Sequence, residues 1–185
     1  MLRNLEIIFI LSIAKIIHMI WKMEGIVWFI RAGLPHKKYI IPVLKRFGAD
    51  ISNDCDIEGG IWIHNANTDF SKLCIKKNVH IGKDVFFDLA DRIYIAENST
   101  ISMRAVIITH MDVGKSKLSK IYQTIKKPVI IGADTYIGAD AIILPGVRVG
   151  IGSLIAAGSV VNRNVLPNCV VGGIPSKKIK KINLK

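Results

Sequence analysis

A six-residue beat runs through most of this chain, and it constrains the fold more than any other feature. Counted in sixes from Ile131, the leading positions are Ile131, Ile137, Ile143, Val149, Ile155 and Val161, all β-branched aliphatics. The fifth positions, Thr135, Ala141, Val147, Ser153, Ser159 and Val165, are all small or β-branched. Glycine or alanine follows the leading aliphatic in four of the six units, at Gly132, Gly138, Gly150 and Ala156. The same beat runs earlier through Ile51, Ile57 and Ile63, then Ile75, Ile81 and Phe87, then Ile95, Ile101 and Ile107. A helix repeats at about 3.6 residues and a strand at about 2.0, so neither alone demands a large aliphatic at every sixth residue. A solenoid does. If each hexapeptide is one short strand and a turn, three make a triangular coil, and the leading aliphatics stack in ladders inside the prism. Residues 51 to 166 supply roughly six such coils. The small residue after each aliphatic is expected to let the backbone turn tightly.

The repeat accounts for much of the composition. Of 185 residues, 34 are isoleucine and 50% are hydrophobic, ample for a core and excessive for a disordered chain. The length predicts one domain with a short appendage. The formal net charge of +12 points to anionic partners without choosing among nucleic acid, membrane surface and phosphate-bearing molecules. Three widely spaced cysteines, Cys55, Cys74 and Cys169, read as reduced thiols in a cytosolic chain rather than a disulfide framework.

Residues 1–50 lack the beat and form a separate apolar segment ahead of the solenoid at 51–185. Leu5 to Trp21 is strongly apolar, but Glu6, Lys15 and His18 interrupt it and no small-residue cleavage site follows, so neither a span nor a signal peptide is expected. As a helix it has a broad apolar face with a narrow polar edge. Two uses stay open: packing against the body or a neighbouring subunit, or peripheral contact of residues 1–34 with the inner face of the cytoplasmic membrane. The Gly33-to-Lys38 segment ends this region, and a second short helix is predicted over Tyr39–Phe47.

Two breaks in the beat mark places where function can emerge from the scaffold. The first lies around Asp88 to Arg92, and the second runs from Thr109 to Lys127, polar, basic and without the pattern. The second is expected as an extruded loop, a favoured place for catalytic residues.

The repeat, His110 at the start of the loop, the run from Val129 to Val161, and the ending Gly172–Ile182 together resemble the hexapeptide acyltransferases, most closely the bacterial sugar and polysaccharide O-acetyltransferases. The resemblance covers about residues 51–182. It implies an all-β solenoid wound as a left-handed parallel β-helix behind N-terminal α-helices, a homotrimer with active sites between subunits, acetyl-CoA as donor, and a sugar or surface-polysaccharide precursor as acceptor. Transfer of acetyl from a thioester to a hydroxyl requires removal of the hydroxyl proton during attack, and histidine suits that task near neutral pH. His18 and His36 precede the solenoid and His64 and His80 lie within it, whereas His110 alone begins the long loop. His110 is the candidate general base, at the position the resemblance gives the catalytic histidine. Asp112 is a candidate to orient the imidazole, or a solvated loop charge. Asp88 falls where the resemblance places an asparagine or aspartate facing the acceptor, and its alternative is a turn residue. Asp69, in the irregular stretch 65–71, is a candidate for acceptor contact or a turn.

For the donor, the resemblance implies small residues along a groove, matched by Ala139 and Ala157, with Asn162, Arg163, Lys177 and Lys180 towards the nucleotide phosphates. Lys177 and Lys180 read equally as part of a solvated basic tail. N-acetylation of an amino sugar, and a non-catalytic membrane-docked scaffold, are the alternatives. A zinc enzyme on this scaffold would need converging histidines with a paired H-x4-H, which this sequence lacks, so no metal is expected. Nucleic-acid binding is not expected either, in the absence of an aromatic stacking platform or recognised motif.

Overall fold

A computed structural model describes residues 7–16, 37–66 and 69–183. The leading aliphatics of the repeat form three internal ladders, and the chain winds around them as a parallel β-solenoid. The first coil is β1 (Asp50–Ile51), β2 (Asp56–Ile57) and β3 (Trp62–His64). The second is β4 (Leu73–Ile75), β5 (His80–Ile81) and β6 (Phe86–Asp88), and the third β7 (Ile93–Ile95), β8 (Thr100–Ile101) and β9 (Val106–Ile107). The chain then leaves the solenoid through β10 (His110–Met111) and returns through β11 (Ile125–Lys126), an antiparallel pair. The fourth coil is β12 (Val129–Ile131), β13 (Tyr136–Ile137) and β14 (Ile142–Ile143). The fifth is β15 (Arg148–Val149), β16 (Leu154–Ile155) and β17 (Val160–Val161), and a final hairpin pairs β18 (Cys169–Gly172) with β19 (Lys177–Lys181).

The first strands of the coils stack as β1-β4-β7-β12-β15, the second as β2-β5-β8-β13-β16-β18-β19, and the third as β3-β6-β9-β14-β17. In-register stacking puts Ile137 over Ile101 and Ile155 over Ile137, so every leading aliphatic meets its counterpart one coil away. Ile81, Ile101, Ile137, Ile155, Ile107 and Ile143 are fully buried. Such close-packed ladders are where the excess isoleucine is used.

The small residues after the aliphatics have a different reason from the expected one. Gly132, Gly138 and Gly150 do not sit at positive φ; a Cβ on Gly138 would lie 2.5 Å from Ala157 N, and one on Gly150 2.5 Å from Pro167 N. The next coil's backbone passes too close for any side chain. Left-handed turn positions fall on other residues, among them Asn78, Asp84, Asn98, Asp134 and Asp140.

Ahead of the solenoid, residues 7–16 form helix α1, and α2 spans Lys37–Arg46, slightly ahead of the predicted Tyr39–Phe47. Ile40, Val43 and Leu44 of α2 are buried with Phe47, whose ring meets Phe70 edge-on at 5.9 Å between centroids. These side chains close the first end of the prism, where the ladders would otherwise open to water. No helix among the described residues is long and apolar enough to cross a membrane.

Candidate active site

Three successive coils turn the same corner, from the third ladder back to the first, at Asn65, Asp88 and His110. The corner is built around Asp88, which is 1% exposed. Removing a carboxylate from water is costly unless hydrogen bonds replace its hydration. Here they do. Oδ2 accepts from the backbone N–H of Thr109 at 2.8 Å and of His110 at 3.0 Å, and lies 2.6 Å from His110 Nδ1. Oδ1 accepts from Asn65 Nδ2 at 2.7 Å. Thr109, fully buried, donates its hydroxyl to the Asp88 carbonyl at 2.6 Å and accepts from the Asp91 N–H at 2.9 Å. Burial pushes the Asp88 carboxyl up, but hydrogen bonds from His110, Asn65 and the Thr109 amide outweigh it and hold the group below its ordinary value.

An ionised acceptor at Nδ1 selects the tautomer of His110. The ring donates Nδ1–H to Asp88, leaving the Nε2 lone pair without a protein partner among the described residues. The ring is 31% exposed, so that nitrogen is reachable. His110 is also locked through its backbone: it pairs with Lys126 across β10–β11, and Lys127 N–H donates to the Thr109 carbonyl at 2.9 Å. Beyond this zipped base the loop is exposed, with a single 3₁₀ turn at Lys117–Lys120.

The other predicted residues distribute as follows. The carboxylate against the imidazole is that of Asp88; Asp112 instead accepts from the Gly114 N–H at 2.7 Å in an exposed turn. Asp69 accepts from both the amide and the hydroxyl of Ser71, at 2.9 and 2.6 Å, which closes a turn. Ala139 and Ala157 stack on adjacent coils, Gly158 N–H donating to the Ala139 carbonyl at 2.8 Å, but along a different edge of the prism from His110. Asn162 and Arg163 lie on the same edge as His110, two coils further along, or about 10 Å at the usual strand spacing. Arg163 and Lys177 line one cavity of about 340 Å³ at the last coil, with Val165, Cys169 and Val171 among its apolar walls and Lys178 also lining it. Lys180 sits on the exposed strand β19 opposite Val170. No cluster of three metal-ligating side chains occurs among the described residues.

Asn65 and Thr109 escaped the sequence reading, although both hold the Asp88–His110 pair. The available signal was a lapse in the small-residue rule. After the third aliphatic of each coil stand His64, Asp88, Ile108, Leu144 and Asn162, none of them small, which singles out this edge.

A family model describing the hexapeptide repeat of succinyl-transferase matches residues 128–163. The galactoside O-acetyltransferase of Escherichia coli (strain K12) is 31% identical over 118 residues, covering 57% of this chain and 55% of that protein. This chain thus spans about half the length of that curated relative. Among solved structures, a maltose O-acetyltransferase from Clostridium difficile 630 superposes with a TM-score of 0.64 at 24% identity, over 94% of this chain and 86% of the other. A galactoside acetyltransferase in complex with coenzyme A gives 0.63 at 24% identity, over 79% and 71%. At such identities the two structures establish the likeness of fold.

Proposed function

The chain belongs to the hexapeptide-repeat acetyltransferase family, and on that premise we propose that it is an acetyl-CoA-dependent O-acetyltransferase acting on a hydroxyl of a sugar or surface-polysaccharide precursor. The observation that carries this is the 2.6 Å contact between buried Asp88 and His110 Nδ1, which turns a bare Nε2 outward. In this role Nε2 takes the acceptor hydroxyl's proton as the oxygen attacks. Asp88 is the positioning residue, stabilising the imidazolium that forms and keeping the ring in one tautomer. The proton then passes from Nε2 to the departing thiolate, which returns the base to its starting state. Acetyl-CoA supplies the activated acetyl group. The end cavity suits its nucleotide, with apolar walls for a ring and Arg163 and Lys177 for phosphates.

We assign Ala139, Ala157, Asn162 and Lys180 to the donor groove on the resemblance. Because the two alanines lie along another edge from His110, a complete groove calls for a neighbouring copy. The outward side chains of the third ladder support a homotrimer: Trp62, Phe86, Val106, Ile142 and Val160 make an apolar strip along the prism. Peripheral membrane contact through residues 1–34 is also part of the proposal. Among the described residues of that segment, Ile8, Phe9, Ile13 and Ile16 of α1 are exposed, while Ala14 faces the core.

The test is His110→Ala, assayed by thiol release from acetyl-CoA with an acceptor panel. Transfer is expected to fall at least about a hundredfold, as loss of a general base generally costs, while circular dichroism still reports the folded solenoid and the melting temperature falls only by the loss of the contact with buried Asp88. Undiminished transfer would remove His110 from the chemistry.

A further inference from the structure

The loop that carries His110 is one of two strongly basic stretches of the solenoid, the other being the C-terminal strand with Lys177, Lys178, Lys180 and Lys181. Residues 109–127 contain five lysines and one acidic residue, Asp112, whose carboxylate is engaged by the Gly114 amide. The three coils beneath, residues 50–108, have the opposite balance, with nine acidic side chains against six basic ones. The concentration of lysine in the loop therefore does not follow from a generally basic surface.

One of these lysines is placed by backbone register. His110 and Lys126 are directly opposed across β10–β11, so their side chains leave the same face with Cβ atoms about 4.5–5.5 Å apart. Lys126 makes no ion pair among the described residues, and Asp88, the carboxylate against His110, is buried with both oxygens engaged. Lys115, Lys117 and Lys120 extend the positive surface along the arm, likewise without an ion pair among the described residues. An unpaired ammonium beside the nitrogen that would receive a hydroxyl proton is poised to receive negative charge on the same molecule. A cluster of like charge on a protruding arm also raises the local concentration of an oppositely charged ligand.

We propose that the acceptor is an anionic saccharide, bearing a carboxylate or a phosphate, and that Lys126 binds that charge beside His110 while the other loop lysines attract it. The inference rests on His110 being the general base at the acceptor site. Direct binding measurement separates the two ideas, since affinity for the charge does not require turnover.

Calorimetry on the full chain compares a hyaluronan tetrasaccharide, glucose 6-phosphate and uncharged maltotetraose. At least one anionic probe is expected to bind at least about tenfold more tightly than maltotetraose, to weaken as salt is raised from 50 to 300 mM, and to lose at least about fivefold in Lys126→Gln. The double variant Lys77→Gln/Lys83→Gln, which removes two charges at other corners, is expected to bind as the unaltered chain does. Preference between the two anionic probes assigns carboxylate or phosphate. Equal affinity for all three probes, no binding of either anion, or anion binding indifferent to Lys126→Gln overturns the proposal. So does displacement of the anion by adenosine 3′,5′-bisphosphate, which would give the loop to the donor. Failure of His110→Ala to reduce transfer would strike the general-base role and leave these affinities readable.

Discussion

Asp88 illustrates how one buried charge can organise residues far apart in the chain. Its partners Asn65 and His110 stand 23 and 22 residues away and share nothing in local sequence. They meet because equivalent points of adjacent coils lie about 4.8 Å apart. Since the folded-state pKa of Asp88 is held below its ordinary value, the carboxylate stabilises the fold at all pH above about 4, and that contribution is lost as pH falls through the lowered pKa. Asp88→Asn should therefore lower the melting temperature at pH 7, with the difference from the unaltered chain shrinking below about pH 4. Scanning fluorimetry from pH 7 to 3 reads this directly. The same variant is expected to reduce transfer by roughly a hundredfold to ten-thousandfold, because an amide neither stabilises an imidazolium nor selects the Nδ1–H tautomer. An acetyltransferase assay in which Asp88→Asn keeps full turnover would show that the orientation of the imidazole does not depend on this carboxylate.

Among the elements, coil spacing and loop anchoring decide which positions tolerate change. At the first two corners of the later coils the backbone of the next coil fills the space a side chain would need. Gly138→Ala is expected to cost roughly 1–3 kcal/mol, the usual range for overpacking, because the opposing atoms are backbone of Ala156 and Ala157 and cannot swing aside. A denaturant melt checks this; a loss below about 0.5 kcal/mol would mean that the coils separate readily. The third corner has no such restriction, and there the chain places Asp88, the 109–127 loop and Asn162. His110 stood out in the sequence because it opens an interruption of the beat. Asn65 and Thr109 did not, because their significance lies in which coil they are stacked upon. Asp112 drew attention by proximity in sequence, but two residues along a hairpin arm carry it away from the imidazole and into its own turn with Gly114.

For the whole molecule, the positive charge separates into three parts. Seven basic residues and no acidic one follow residue 140 in the sequence, and three of them, Arg163, Lys177 and Lys178, line the cavity at the last coil. Five lysines belong to the loop that His110 opens, and a third basic stretch, with eight lysines and arginines against two glutamates, precedes residue 50 in the sequence. If the apolar strip of the third ladder joins copies, sedimentation should report a trimer and Ile142→Glu a smaller species. A trimer unaffected by that substitution would move the interface to another face. Flotation with anionic liposomes, comparing the full chain with one lacking residues 1–34, is expected to show binding by the former alone; equal non-binding discards the membrane contact. By itself the sequence determined the solenoid, its coil length and the position of its breaks, because a six-residue period of branched aliphatics is compatible with no other regular structure. What only the tertiary structure decided was the partnership of Asn65, Asp88, Thr109 and His110 and the facing of Lys126. Those contacts join residues through the stacking of coils and the register of a hairpin, and periodicity along the chain carries no record of which side chains such stacking brings together.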